Sequence, residues 1–82
     1  MKVQAEVSLY PLRQDDLTKP IQGFVESLKS DDINVKTRSM SSVISGDSKI
    51  VFQSLQKAFE RAAKKYDVVL TAKISNACPE IE

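Results

Sequence analysis

Histidine is absent from the 82-residue chain, and Cys78 is its only cysteine. Histidine is the commonest general base and metal ligand, and the usual zinc sites need several cysteines or histidines. We therefore expect no catalytic centre, no metal site and no internal disulfide. Cys78 has no base or second cysteine near it in sequence, which favours an unreactive thiol. Only two glycines occur, Gly23 and Gly46, so a glycine-rich phosphate loop is excluded as well.

Long apolar runs and an excess of one charge sign are also missing. No segment approaches the roughly 18 apolar residues of a membrane span, and residues 1–6 lack the apolar core of a signal peptide. With a single cysteine, these features predict a cytoplasmic protein without a membrane partner. Twelve Lys and Arg against eleven Asp and Glu give a net charge of +1, which argues against a nucleic-acid partner. The length predicts one domain spanning residues 1–82.

The apolar residues that are present repeat with two different periods. Val3, Ala5, Val7 and Leu9 alternate with polar residues, which indicates a strand with one buried face, and Pro11 is expected to end it. Thr18 and Asp47 are the expected N-caps of two amphipathic helices. The predicted elements are a strand at 3–10, a helix at 18–30, strands at 34–40 and 43–44, a helix after Asp47, and a strand at 68–74.

The order β-α-β-β-α-β predicts an α+β fold, the ferredoxin-like sandwich with two helices on one face of a four-stranded antiparallel sheet. Its expected core contains Val7, Leu9, Phe24, Leu28, Leu55, Phe59 and Leu70. The helices should also face Val68, Ala72 and Ile74. The other sheet face should display Gln4, Glu6, Ser8 and Tyr10 from the first strand and Val69, Thr71, Lys73 and Ser75 from the last. We expect a functional site on this mixed face. The alternative is an ordinary antiparallel sheet with one face exposed to solvent and no site on it.

Three short segments at the ends of predicted strands resemble a known family. They are AEVSLYPL at 5–12, MSSVISGD at 40–47 and ISNACP at 74–79. Together they resemble the thiamine-binding protein family, the YkoF-related group of ferredoxin-like proteins. The resemblance implies non-catalytic binding of thiamine or its hydroxymethylpyrimidine moiety, for buffering, delivery or sensing. It also implies homo-oligomers, dimers or tetramers, with the ligand near subunit contacts and no other cofactor.

The residue types on the expected site fit such a ligand. An aminopyrimidine needs a carboxylate or carbonyl beside a hydroxyl or amide, and Glu6, Ser8, Ser75 and Asn76 supply these groups. A thiazolium is a flat cation that favours an aromatic face or a carboxylate, which Tyr10 or Glu6 provides. The second segment adds Met40, Ser41 and Ser42 to the candidate ligand-binding residues.

Each candidate also has a purely structural interpretation. Glu6 can be a solvated strand residue or form a salt bridge between subunits, and Tyr10 can pack at a subunit contact. The serines can serve the sheet or a turn, Met40 can fill a gap, and the Asn76 amide can hold the terminal turn. The alternative function is a ligand-free oligomeric interaction or regulatory protein on the same fold.

Overall fold

The computed structural model of the chain describes residues 1–38 and 41–77. These residues form four strands and two helices in the predicted order. The elements are β1 (Lys2–Leu12), α1 (Thr18–Lys29), β2 (Asn34–Thr37), β3 (Ser42–Asp47), α2 (Ser48–Ala63) and β4 (Asp67–Ser75).

The strands form one antiparallel sheet in the order β2-β3-β1-β4, so β1 lies between β3 and β4. Four alternating residues of β1 are buried, from Val3 to Leu9, and they form one core with Leu28 of α1 and Val51 of α2. Because both helices pack on this one side, the predicted ferredoxin-like α+β fold is confirmed. The buried core consists of Val3, Ala5, Val7, Leu9, Phe24, Leu28, Ile44, Val51, Leu55, Ala58 and Ala62.

Two residues of the predicted core are not fully buried. Phe59 and Leu70 are only half-buried, and Leu70 packs against the core from its edge. Ala72 and Ile74, which were expected to face the helices, are exposed. The reason is that β4 is an edge strand, so the helices cover it less fully than they cover β1.

Several predicted boundaries also differ from the structure, and β3 spans Ser42–Asp47 where the prediction was 43–44. Pro11 does not end β1, because Pro11 and Leu12 continue to pair with β4. The pairing of β1 with β3 stops at Val7, so a residue without an N–H is tolerated beside the open edge that follows. Thr18 is the first residue of α1 rather than its cap, and its N–H donates to the Asp16 carboxylate at 2.9 Å.

Asp47 caps α2 as predicted, its carboxylate accepting a hydrogen bond from the Lys49 N–H at 3.1 Å. Asp31 joins the two helices, because its carboxylate accepts from the Lys57 ammonium at 2.7 Å and from the Ser54 hydroxyl at 2.6 Å. The hydrogen bond from Lys57 is the main cause that lowers the pKa of Asp31 below its ordinary value. This contact fixes how the end of α1 lies against α2.

Gly46 in β3 has no side chain and leaves room for Ile33. A larger residue at this position should therefore destabilise the protein. A Cβ at this position would lie 3.1 Å from Cγ2 of Ile33. We expect Gly46→Val to lower the free energy of unfolding by about 1–3 kcal/mol, because the added atoms overpack this contact. Urea denaturation measures the change.

Gly23, within α1, is the matched control for this prediction. A Cβ there would meet nothing within 4 Å, so Gly23→Ala should stabilise the protein by about 0.5–1 kcal/mol. Equal effects of the two substitutions would contradict the role given to Ile33.

Candidate ligand site on the open face of the sheet

The sheet face without helices, here the open face, carries a concave site around Glu6. This Glu6 pocket has a volume of about 390 Å³. It is lined by Gln4, Glu6, Arg38, Val43, Lys73, Ile74 and Ser75. Three elements and the β2–β3 connection therefore contribute to one site.

The register of the sheet explains how these side chains meet. Glu6 in β1 lies directly opposite Lys73 in β4 and Val43 in β3. Residues opposite each other in an antiparallel sheet share a face, with Cβ atoms about 4.5–5.5 Å apart. Gln4 likewise lies opposite Ser75, one row further along the same face. The alternation that buries one side of β1 thus places these polar groups together on the other.

A hydrogen bond orients the carboxylate of this pocket. The Ser41 hydroxyl donates to Oε2 of Glu6 at 2.9 Å. Ser41 directly precedes β3, and its carbonyl accepts a hydrogen bond from the Arg38 N–H at 2.8 Å. Two predicted site residues that are 35 positions apart in sequence are therefore in direct contact. A carboxylate can accept several hydrogen bonds, so Glu6 retains acceptor capacity for a ligand.

Ser75 and Asn76 lie at the end of β4. Ser75 lines the Glu6 pocket, and its hydroxyl accepts a hydrogen bond from the Ala77 N–H at 3.0 Å. This hydrogen bond joins residues 75 and 77, a role that was considered for the Asn76 amide. Asn76 is exposed beside it.

Ser8, Tyr10 and Ser42 are predicted site residues that do not line the Glu6 pocket. Ser42 is buried on the helix side of the sheet, and with Ser8 and Ser41 it lines a separate cavity of about 110 Å³ beside α1. Tyr10 lies further along β1, opposite Val69. Ligand contact by these residues stays a prediction. Met40, like Cys78, lies outside the described residues.

The two cations of the pocket were not among the predicted site residues. Lys73 was placed on the open face by its parity with Ser75, and this parity was the available signal. Arg38 lines both the Glu6 pocket and the smaller cavity. Across residues 1–38 and 41–77, neither cation takes part in a salt bridge.

The pocket combines a carboxylate, two cations, an amide, a hydroxyl and apolar groups. Such a set suits reversible recognition of a small polar molecule. Within residues 1–38 and 41–77 there is no group of three potential metal-ligating residues. Over the same ranges, neither helix has the length and apolar character needed to cross a membrane.

The fold and this pocket define a small ferredoxin-like α+β domain with a candidate small-molecule site on its open face. The model of the YKOF-related family matches residues 2–80, and the chain belongs to this family. The resemblance seen in the sequence is therefore confirmed. No curated protein matches the chain.

Several solved structures are similar to this one. A hypothetical protein from Methanocaldococcus jannascii is 29% identical, with a TM-score of 0.86, and the match covers 98% of this chain and 84% of that one. A protein from Streptococcus pneumoniae is 23% identical, with a TM-score of 0.86 and coverages of 99% and 90%. A third, from Thermotoga maritima and provisionally assigned to thiamine biosynthesis or salvage, is 16% identical, with a TM-score of 0.83 and coverages of 90% and 82%.

Proposed function

We propose that this chain binds a thiamine-related aminopyrimidine in the Glu6 pocket, reversibly and without changing it chemically. The observation that carries the proposal is the oriented carboxylate of Glu6, which Ser41 holds at 2.9 Å within a pocket of about 390 Å³. An amino group beside a ring nitrogen can donate to this carboxylate, while Gln4 offers both a donor and an acceptor. Membership of the family and the Thermotoga maritima relative support a thiamine-related ligand.

Within thiamine, the pyrimidine end is the part that fits the pocket better. Arg38 and Lys73 both line it, and a thiazolium brought close to them would meet two like charges. Tyr10, the aromatic side chain that was predicted to suit a thiazolium, is not among the lining residues. The proposed ligand is therefore hydroxymethylpyrimidine, or thiamine bound through its pyrimidine ring. Buffering, delivery or sensing of this compound in the cytoplasm is the role we propose.

Isothermal titration calorimetry with the two halves of thiamine tests this function. We expect heat of binding with hydroxymethylpyrimidine and none with the thiazole alcohol, because Glu6 pairs with the amino-substituted ring. Whole thiamine should bind more weakly than the free pyrimidine because of the two cations. Heat with the thiazole half alone would reverse the assignment. No heat of binding with any of the three compounds would favour a protein that has no such ligand.

That ligand-free alternative is favoured by one observation. The open face also carries an apolar patch, the Tyr10 patch, made of Tyr10, Leu12 and Val69. These side chains are 52%, 40% and 45% exposed, respectively. Such a patch is typical of a contact with another protein chain. The alternative function is therefore an oligomeric interaction protein whose open face only joins subunits.

A further inference from the structure

The Glu6 pocket is lined by more positive than negative side chains, which favours a ligand that carries negative charge. Glu6 is its only acidic lining residue among those described, whereas Arg38 and Lys73 are both cationic. Lys36 of β2 lies opposite Val43 of β3 and adds a third cation to the same face. From this arrangement we infer that the pocket takes a phosphate monoester of an aminopyrimidine alcohol, with Glu6 on the amino group and Arg38 and Lys73 on the phosphate. The inference rests on the proposed function and narrows its ligand.

The two cations differ in what they offer a phosphate. Arg38 presents a planar guanidinium that can form two parallel hydrogen bonds to phosphate oxygens, while Lys73 supplies a compact point charge. No carboxylate within residues 1–38 and 41–77 forms a salt bridge with either side chain. Both side chains are exposed and line the pocket, so a dianion can reach them without a large desolvation cost.

The cross-strand pairing of Glu6 with Lys73 discriminates among phosphorylated compounds. Glu6 and Lys73 are direct cross-strand neighbours, so their Cβ atoms lie about 4.5–5.5 Å apart. In hydroxymethylpyrimidine phosphate, the amino group and the methylene-linked phosphate are on adjacent ring atoms, so one small ring presents both groups to neighbouring side chains. In thiamine phosphate, a cationic thiazolium ring separates the pyrimidine from the phosphate. The pocket therefore favours the shorter, single-ring ester.

Calorimetry with four probes tests the inference: hydroxymethylpyrimidine, its phosphate monoester, thiamine monophosphate and inorganic phosphate. We expect the pyrimidine phosphate to bind roughly ten- to a hundredfold more tightly than the alcohol, because hydrogen bonds to charged groups are the strong ones. Raising the salt concentration should weaken the phosphate ester more than the alcohol. Thiamine monophosphate and inorganic phosphate should both bind less tightly than the pyrimidine phosphate.

Matched variants assign the phosphate contact to residues. Arg38→Met and Lys73→Met should each reduce affinity for the pyrimidine phosphate by roughly tenfold or more, while affinity for the alcohol stays the same or rises slightly. Lys36→Met removes one cation from the same face but outside the pocket lining, so it should have a much smaller effect.

The outcomes separate this inference from the function on which it rests. Binding of the alcohol with no gain from the phosphate would overturn the inference and leave the proposed function standing. Equal losses from Lys36→Met and Arg38→Met would also overturn it, because the effect would then be the general charge of the face. No binding of either pyrimidine would refute both. Inorganic phosphate binding as tightly as the ester would show an anion site without pyrimidine recognition.

Discussion

Glu6→Gln is expected to weaken binding of hydroxymethylpyrimidine by roughly ten- to a hundredfold while leaving the fold intact. The substitution keeps the shape of the side chain but replaces a charged acceptor by a neutral one, and a charged hydrogen bond contributes about 1.5–3 kcal/mol. Glu6 is exposed on the open face, so the free energy of unfolding should change little. Calorimetry gives the dissociation constant, and urea denaturation gives the stability.

Two further variants show whether the effect belongs to the site. Glu26→Gln makes the same change on the exposed surface of α1 and should leave affinity unchanged. Ser41→Ala removes the hydroxyl that orients the Glu6 carboxylate, so it should reduce affinity by a smaller factor than Glu6→Gln. If the dissociation constant is unchanged in Glu6→Gln, Glu6 is a solvated strand residue and does not contact the ligand.

The regular elements could be predicted because their sequence periods match the burial pattern. Val3, Ala5, Val7 and Leu9 alternate in sequence, and all four are buried in the structure. The same rule was less accurate for β4, where Ala72 continues the alternation but is exposed. Alternation identifies which residues share a face, but coverage of that face depends on the order of the strands. That order placed β4 at an edge.

The site could be predicted only in part, for a related reason. Parity placed Glu6 and Lys73 on the same face, but the register that sets them opposite each other comes from tertiary pairing. The contact between Ser41 and Glu6 depends on the connection between β2 and β3, which has no periodic signal. Arg38 enters the pocket through the same connection. Residues in turns were therefore assigned by resemblance or missed.

Val69→Asp is expected to dissociate a homo-oligomer into single chains. The Tyr10 patch is an exposed apolar surface, and a chain of 82 residues has a small core that gains from burying further area against a partner. Face-to-face packing of two open faces would cover Val69 and its cross-strand neighbour Tyr10. A buried carboxylate without a partner is strongly unfavourable, so the interface should not form. Light scattering should change from at least twice the chain mass to about 9.1 kDa.

The same substitution should also weaken ligand binding, because such an interface extends to the Glu6 pocket. Val69 and Lys73 are four residues apart on β4, which corresponds to about 14 Å along the strand. A standard interface buries about 800 Å² per partner, so a square patch of this area is about 28 Å wide. Centred on the Tyr10 patch, it reaches the pocket at its edge. A second chain would then help to close the site, and two-fold symmetry would give equivalent sites.

Phe52→Asp is the matched control for this prediction. Phe52 is a large apolar side chain on α2, 55% exposed and on the helix side of the sheet, so its replacement should affect neither assembly nor affinity. If light scattering gives the wild-type protein the mass of a single chain, the prediction of a homo-oligomer is refuted. If Val69→Asp dissociates the subunits while the dissociation constant for hydroxymethylpyrimidine stays the same, the Glu6 pocket is complete within one chain. In that case the Tyr10 patch serves assembly alone, and the two functions of the open face are independent.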